Sequence, residues 1–265
     1  MVAAKNNSAA FLQLILLILL VEGCTKNDVS PSTCQLASYQ IGSSGTNYYY
    51  TNNQLTGGQD ANGIYSFSYD KQDRISQIAY NSGTMVAIRY DGNNRIIKVT
   101  WTFKPLVADN IIWDAPLPAP TIYHYTYNQS GQMILQQYFL LNTSGDSTLT
   151  DVKTFQYPGT STHNYSTSSW ITYGNDTLTT NYVYQYDNRI NPFRQSIYTL
   201  TSSFSSTDNN VAQVAITQSS KLGTFTGTSD YVYTYTNNGY PLKQTLTSNG
   251  SLTSYSTTFT YTNCH

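Results

Sequence analysis

The chain has 265 residues and is close to neutral, with 13 Lys plus Arg, 14 Asp plus Glu and a formal net charge of −1. Only 10% of its residues are charged and there is no basic stripe, so the composition argues against nucleic acid as a partner. The chain carries 25 Tyr together with abundant Thr, and these residue types favour strands. The helix formers Glu, Ala, Leu and Lys are scarce after residue 24, and no apolar segment there has helical periodicity. We therefore predict an all-β protein.

Residues 1–23 have the pattern of a signal peptide. Lys5 supplies a short positive region, and residues 11–21 form an apolar core that is too short for a comfortable membrane span. The core runs into the letters VEGC at residues 21–24, which resemble the lipobox of bacterial lipoproteins. That resemblance implies cleavage before Cys24, lipid attachment to Cys24 and anchoring of the protein in a membrane. A single-pass N-terminal anchor with an unmodified Cys24 is the alternative.

The mature chain is expected to divide into two parts. Residues 24–38 comprise the lipidated Cys24 and a flexible polar tether, and residues 39–265 form a single β-hairpin-repeat domain. The residue after the cysteine is Thr25 rather than Asp, which by resemblance to lipoprotein sorting favours the outer membrane of a Gram-negative bacterium. The periplasmic face and the cell surface are both compatible with this pattern.

A hairpin motif is clearest between residues 64 and 101. The two copies read IYSFSYDKQDRISQIAY and MVAIRYDGNNRIIKVTW: an alternating apolar run, Tyr-Asp, a short polar turn, then Arg-Ile and a second alternating run. Because strand side chains repeat every two residues, each copy predicts a β-hairpin. The turn residues at positions 70–73 and 91–94 are of types that tolerate positive φ or whose side chains hydrogen-bond to their own backbone. Turn chemistry therefore accounts for the motif's Asp residues without a ligand.

The motif recurs along the chain in a common register, with an aromatic residue or Ile two positions before the last Tyr of each copy. These last tyrosines are Tyr50, Tyr69, Tyr90, Tyr127, Tyr157, Tyr186, Tyr235 and Tyr261. The copy at Tyr186 has the shortest predicted turn, residues 187–189, and the irregular spacing excludes a solenoid of fixed period. The pattern resembles the YD repeats of RHS-type shell proteins. More closely, it resembles a family of outer-membrane-associated bacterial lipoproteins of unknown function with a porin-like fold.

The repeat and the resemblance together predict the architecture. We expect an antiparallel meander of β-hairpin repeats, with about 12–16 strands, that forms a barrel-like closed or nearly closed sheet. Closure would remove the sheet edges that otherwise promote aggregation. An open, twisted single sheet is the alternative. We also expect a water-soluble domain rather than a transmembrane barrel, because the sequence lacks sustained alternating segments of about ten residues with aromatic girdles at both ends.

Cys34 and Cys264 are the only cysteines besides Cys24, and they lie near the two ends of the mature chain. An exported protein meets an oxidising compartment, so this even pair predicts a disulfide between Cys34 and Cys264. A closed meander would make the first and last strands neighbours, which is compatible with that pairing. Two free thiols are the alternative.

No catalytic residue, metal ligand or cofactor is assigned from the sequence. The three histidines, His124, His163 and His265, are far apart, and no His-x-x-x-His or Cys-x-x-Cys spacing occurs. Serine is plentiful but never stands in Gly-x-Ser-x-Gly.

The insertion at residues 104–120 interrupts the series of hairpin repeats with the proline-rich sequence KPLVADNIIWDAPLPAP. Loops of this length are more often functional or disordered than idle connectors. We therefore predict a ligand site with Trp113 as its aromatic anchor and Asp114 beside it. Trp101 and Tyr123 complete this site where the loop leaves and rejoins the sheet. The simpler alternative is that the loop packs Trp113 onto the sheet.

Two functions are compatible with these features. The first is a lipid-anchored outer-envelope protein of non-catalytic binding or structural type, with a glycan, peptide or protein partner. The second is a secreted hydrolase that uses Asp carboxylates in an aromatic cleft. We favour the first because the motif's Asp residues are explained by turns and no catalytic motif occurs. Two carboxyl groups about 5–10 Å apart in an aromatic cleft would favour the second.

Overall fold

The structure is a computed structural model. It describes residues 34–103, 119–142, 144–160, 162–194, 207–248 and 255–263. Within these ranges every regular element is a β-strand, which confirms the all-β prediction. A search of the same residues finds no helix that is long and apolar enough to span a membrane.

The described residues form 16 strands that follow one another in chain order. Their bounds are β1 Gln35–Ile41, β2 Ser44–Thr51, β3 Gln54–Asp60, β4 Gly63–Tyr69, β5 Ile75–Tyr80, β6 Met85–Tyr90, β7 Ile96–Thr102, β8 Thr121–Tyr127, β9 Met133–Leu141, β10 Ser147–Gln156, β11 Thr167–Thr172, β12 Leu178–Ile190, β13 Asn209–Ser220, β14 Gly223–Tyr235, β15 Pro241–Ser248 and β16 Tyr255–Thr262.

Successive strands pair antiparallel, and β1 lies beside β16, so the sheet closes into a barrel. Across this closing pair, the hydroxyl oxygens of Ser38 and Thr260 are hydrogen-bonded at 2.7 Å. The prediction of an antiparallel meander of about 12–16 strands in a closed or nearly closed sheet is confirmed, since the sheet is fully closed, and the open-sheet alternative is wrong. Closure pairs the two strands that would otherwise be edges with unsatisfied backbone groups.

Because successive strands are antiparallel, their connections alternate between two ends of the barrel. We call one of them the motif end, since it carries the Tyr-Asp turns at residues 70–74 and 91–95. We call the other the loop end, since β7 finishes there and the insertion follows. With an even number of strands, β1 starts and β16 finishes at the motif end.

The motif turns have the local chemistry that their residues predict. Asp70 Oδ1 accepts hydrogen bonds from the backbone amides of Gln72 and Arg74, at 2.9 and 3.0 Å. Its Oδ2 accepts from Arg74 Nε at 2.8 Å and lies 2.6 Å from Arg74 Nη2. Asp73 and Asn94 adopt positive φ, at 55° and 62°, as expected for these turn positions. The Arg74 guanidinium and the two amides hold the pKa of the Asp70 carboxyl below its ordinary value.

The apolar core fills the barrel interior beside the first seven strands. Ile78, Val86 and Val99 from β5, β6 and β7 are fully buried, and Tyr65 is 2% exposed. Inward positions in the second half include smaller residues such as Gly227, which pairs with Ile216 across β13 and β14. The apolar core fills the half of the barrel beside the first seven strands, and the other half contains a cavity.

Two details differ from the sequence prediction. Residues 35–38, which we assigned to the tether, form the start of β1, because Leu36 is buried in the core at 2% exposure. Residues 187–189 do not form a hairpin turn but continue β12, whose Ile190 still pairs with Asn209 of β13. There Asp187 accepts a hydrogen bond from the Asn210 amide at 3.2 Å, so its carboxylate bonds across strands.

Candidate functional site

A cavity of about 420 Å³ lies inside the second half of the barrel. Strand alternation points Tyr182 and Tyr184 of β12 into it, and the cross-strand pairs bring Ile216 beside Tyr182 and Val214 beside Tyr184. The remaining lining comes chiefly from inward positions of β14, β15 and β16. The cavity is therefore lined mainly by the inward faces of neighbouring strands.

Two tyrosines of the wall, Tyr184 and Tyr233, have hydrogen-bonded hydroxyl groups. The Tyr182 and Tyr184 rings stack with centroids 6.1 Å apart, and the Tyr184 hydroxyl is hydrogen-bonded to Ser168 Oγ at 3.0 Å. The Tyr233 hydroxyl accepts from Gln244 Nε2 at 2.7 Å. Burial raises the pKa of the Tyr184 and Tyr233 phenols above their ordinary value, so both are neutral at physiological pH. The wall presents flat, uncharged ring faces.

The segment after β12 closes the cavity towards the motif end. Phe193 is 1% exposed, and its ring meets Tyr39 edge-on at 5.4 Å and Phe259 at 6.1 Å. Asn191 shapes this segment, since its Oδ1 accepts from the Phe193 amide at 2.9 Å and its Nδ2 donates to Thr207 Oγ1 at 3.0 Å. The chain thus folds back so that Phe193 packs inside the barrel as a floor.

Lys153 of β10 is the cationic residue of the cavity wall. It lies directly opposite Trp170 of β11 in the sheet. Its ammonium nitrogen is 5.2 Å from the Phe155 ring centroid and 5.7 Å from that of Tyr182, close enough for cation–π attraction. Burial lowers the pKa of Lys153 to about 8. Among the described residues, none forms a hydrogen bond or ion pair with this ammonium.

Asp151 is the carboxylate two positions before Lys153 on the same face of β10, and it is hydrogen-bonded to other residues. Its Oδ1 accepts hydrogen bonds from Trp170 Nε1 at 2.9 Å and from Thr172 Oγ1 at 2.6 Å. The described lining of the cavity contains no carboxylate, and the part of the chain that the structure covers has no group of three potential metal ligands. Lys153 therefore gives the cavity a positive charge.

The ligand site predicted from the sequence is only partly within the described residues. Trp101 and Tyr123 lie near the loop end, on the inward faces of β7 and β8, and both pack against the apolar core. The Trp101 ring is 6.2 Å from Tyr80, and neither it nor Tyr123 lines the cavity described above. Trp113 and Asp114 lie outside the described residues, so this second site stays a prediction.

The cysteine predictions also reach beyond the described residues. Cys34 is the first residue that the structure describes, whereas Cys24 and Cys264 lie outside it. Lipid attachment at Cys24 and the Cys34–Cys264 disulfide therefore stay predictions.

Sequence reasoning missed Lys153 and Trp170, although a signal for Lys153 was present. Phe155 belongs to a recognised copy of the motif, and counting back two positions in a strand places Lys153 on the same inward face. A lysine on the apolar face of a strand is unusual and marks a position worth testing. Trp170 had no such signal, because β11 carries no copy of the motif.

Two solved structures resemble this barrel over most of its length. One is a porin-like protein from Bacteroides uniformis, with 12% identity, a TM-score of 0.51 and coverage of 86% of this chain and 96% of that one. The other is a porin-like protein from Bacteroides vulgatus, with 11% identity, a TM-score of 0.51 and coverage of 86% and 99%. No protein-family model and no curated protein sequence matches the chain. At this level of identity the likeness shows the fold alone, and it confirms the porin-like architecture predicted from the hairpin motif.

Proposed function

We propose that this protein is a non-catalytic binding protein of the bacterial envelope, which holds a small ligand with a flat apolar face inside its barrel. The cavity carries this proposal. Its volume of about 420 Å³ is in the range of small-molecule sites, roughly 300–1,000 Å³. Its wall combines stacked tyrosine rings with a few polar groups such as Gln244 and Asn210, the usual composition of a ligand pocket.

The envelope location rests on the N-terminal sequence and on the fold. The signal-peptide pattern and the lipobox ending in Cys24 support a lipid-anchored protein of the Gram-negative outer membrane. The likeness to porin-like proteins from two Bacteroides species supports the same envelope. Both observations are independent of the cavity.

The polar outer face of β15 and β16 supports a domain that faces water. On β16, Phe259 points inward and is 4% exposed, whereas its neighbours Thr258 and Thr260 are exposed on the outside. Lys243 of β15 pairs with Thr258 on the same outer face. A transmembrane barrel has the opposite arrangement, with an apolar band outside. This polarity supports a soluble barrel held at the membrane by its lipid.

A filled-cavity variant tests the proposal on the mature chain with Cys24→Ala. The neutral fluorescent probe N-phenyl-1-naphthylamine should bind saturably to this protein. Ile216→Trp should abolish that binding by filling the cavity, whereas Thr217→Trp, on the exposed face of the same strand, should leave it intact. Circular dichroism checks that both variants fold.

Two results would contradict the cavity as a binding site: no saturable binding to the parent protein, or equal binding by the Ile216→Trp variant. If the probe binds as expected, its displacement by glycans, peptides or aromatic small molecules ranks the classes of natural ligand. The hydrolase alternative has no supporting observation in the described lining, where no carboxyl pair occurs.

A further inference from the structure

The chemistry of the Lys153 ammonium determines which ligands the proposed binding site can accept. Lys153 is half-buried in the cavity wall, with its ammonium near the Phe155 and Tyr182 rings. Ring faces attract a cation but accept none of its three strong N–H donors as a carboxylate would. Within the described part of the chain, this ammonium has no hydrogen-bond or ion-pair partner.

The acid on the same face of the same strand as Lys153 is bound by other residues. Asp151 is two positions before Lys153 on the same strand face, yet its carboxylate binds the Trp170 indole and the Thr172 hydroxyl. Trp170 is itself the cross-strand neighbour of Lys153, so the indole N–H holds the carboxylate instead of the lysine. This arrangement preserves an unneutralised positive charge at the cavity wall.

Burying an unpaired charge is unfavourable, and here the penalty shows as the lowered pKa of the lysine. An anionic group brought in by a ligand would offset this penalty with charge-assisted hydrogen bonds. Lysine offers a compact point charge rather than a planar fork, so it suits a carboxylate, sulfonate or phosphate without demanding bidentate geometry. The neutral phenols of Tyr184 and Tyr233 add no competing negative charge.

We propose that the cavity selects ligands that combine an anionic group, bound by the ammonium of Lys153, with an apolar or aromatic body that packs on the Tyr182 and Tyr184 rings. This inference rests on the proposed binding function and specifies its ligand class.

A matched pair of probes tests it. N-phenyl-1-naphthylamine and 1-anilinonaphthalene-8-sulfonate share a ring skeleton and differ by one sulfonate. In the mature chain with Cys24→Ala, the sulfonate probe should bind at least about tenfold more tightly than the neutral one, as a charge-assisted contact predicts. Lys153→Met, which keeps the aliphatic bulk, should remove this preference, because it weakens binding of the sulfonate probe about tenfold more than binding of the neutral probe.

Two further variants serve as controls. Lys153→Arg keeps the positive charge and should retain most of the preference for the sulfonate. Lys243→Met removes an exposed lysine from the outer face of β15 and should change the binding of neither probe.

Each contrary result has a distinct meaning. If Lys153→Met weakens both probes equally, Lys153 has a packing role and the anion site is wrong. If the sulfonate probe binds the parent protein no better than the neutral one, the anion site is also wrong while the cavity function stands. If neither probe binds the parent protein, the proposed binding function itself fails.

Discussion

The phenol of Tyr90 donates a hydrogen bond to the backbone carbonyl of Ile75 at 2.8 Å, and so ties one Tyr-Asp hairpin to the hairpin before it. The Arg74 guanidinium of that earlier hairpin lies over the Tyr90 ring at 4.4 Å from its centroid. In six of the other seven copies the last tyrosine donates in the same way to the backbone carbonyl of a preceding strand or turn: Tyr50 to Leu36, Tyr69 to Leu55, Tyr127 to Ile96, Tyr157 to Met133, Tyr186 to Tyr165 and Tyr261 to Pro241. Tyr235 differs, because its phenol donates to the side-chain carboxylate of Asp187. The conspicuous repeat therefore builds the barrel by joining neighbouring hairpins.

Removing one of these phenol hydroxyls should destabilise the fold modestly. We expect Tyr90→Phe to lower the free energy of unfolding by about 1 kcal/mol, the usual net value of one hydrogen bond. Tyr49→Phe is the control, because Tyr49 is 43% exposed and its hydroxyl donates to the exposed Gln59 at 3.3 Å. Urea unfolding measures both, and equal midpoints for the two variants would contradict a structural role for the Tyr90 hydroxyl.

The same tyrosines should make the protein sensitive to alkali. Burial raises the pKa of Tyr90 and Tyr127 to about 12, from an ordinary value of 10.0. Below pH 10 these phenols are neutral in the folded and unfolded chains, so they add no pH dependence. As the pH rises from about 10 to about 12, the unfolded chain loses these protons first, and the free energy of unfolding falls.

Urea unfolding at about pH 9 and about pH 11 measures this loss of stability. Tyr90→Phe should reduce the difference in unfolding free energy between the two pH values, because one of the phenols with a raised pKa is then absent. An unfolding free energy that is the same at both pH values would show that the buried phenols ionise as easily as free tyrosine.

The floor of the cavity should contribute strongly to stability. Phe193→Ala removes a ring that is 1% exposed and packed between Tyr39 and Phe259, so we expect a loss of about 3–5 kcal/mol. Phe225→Ala removes a ring that is 60% exposed and should change stability little. Chemical denaturation compares the two variants, and similar small losses would mean that Phe193 is not held inside the barrel in solution.

The predicted Cys34–Cys264 disulfide can be tested on the mature chain with Cys24→Ala. Peptide mapping without reductant should find the two cysteines joined, and thiol titration of the unfolded protein should find no free thiol. A bond that closes so long a loop is expected to stabilise the fold by about 4–5 kcal/mol, so reduction should lower the unfolding midpoint. Two titratable thiols in the oxidised protein would support the free-thiol alternative.

The local structure of this protein could be predicted from residues that are close together in the chain. Alternation of apolar residues predicted the strands, and the turn letters predicted hairpins in which Asp73 and Asn94 adopt positive φ. The aromatic spacing around each last Tyr predicted repeated hairpins and hence a meander. These features depend on residues close together in the chain. Their backbone conformation and hydrogen bonding can be predicted without knowledge of the fold.

Full closure of the sheet between β1 and β16, the number of strands and the location of the cavity depend on the tertiary structure. The cavity is lined by inward residues of several strands, among them Tyr182, Tyr231 and Leu246, and the buried Phe193 packs at one end of it. Within the described residues the Lys153 ammonium has no hydrogen-bond or ion-pair partner, and Asp151 instead accepts from Trp170 on the neighbouring strand. Each of these facts depends on distances between residues of different strands, which chain spacing alone does not specify.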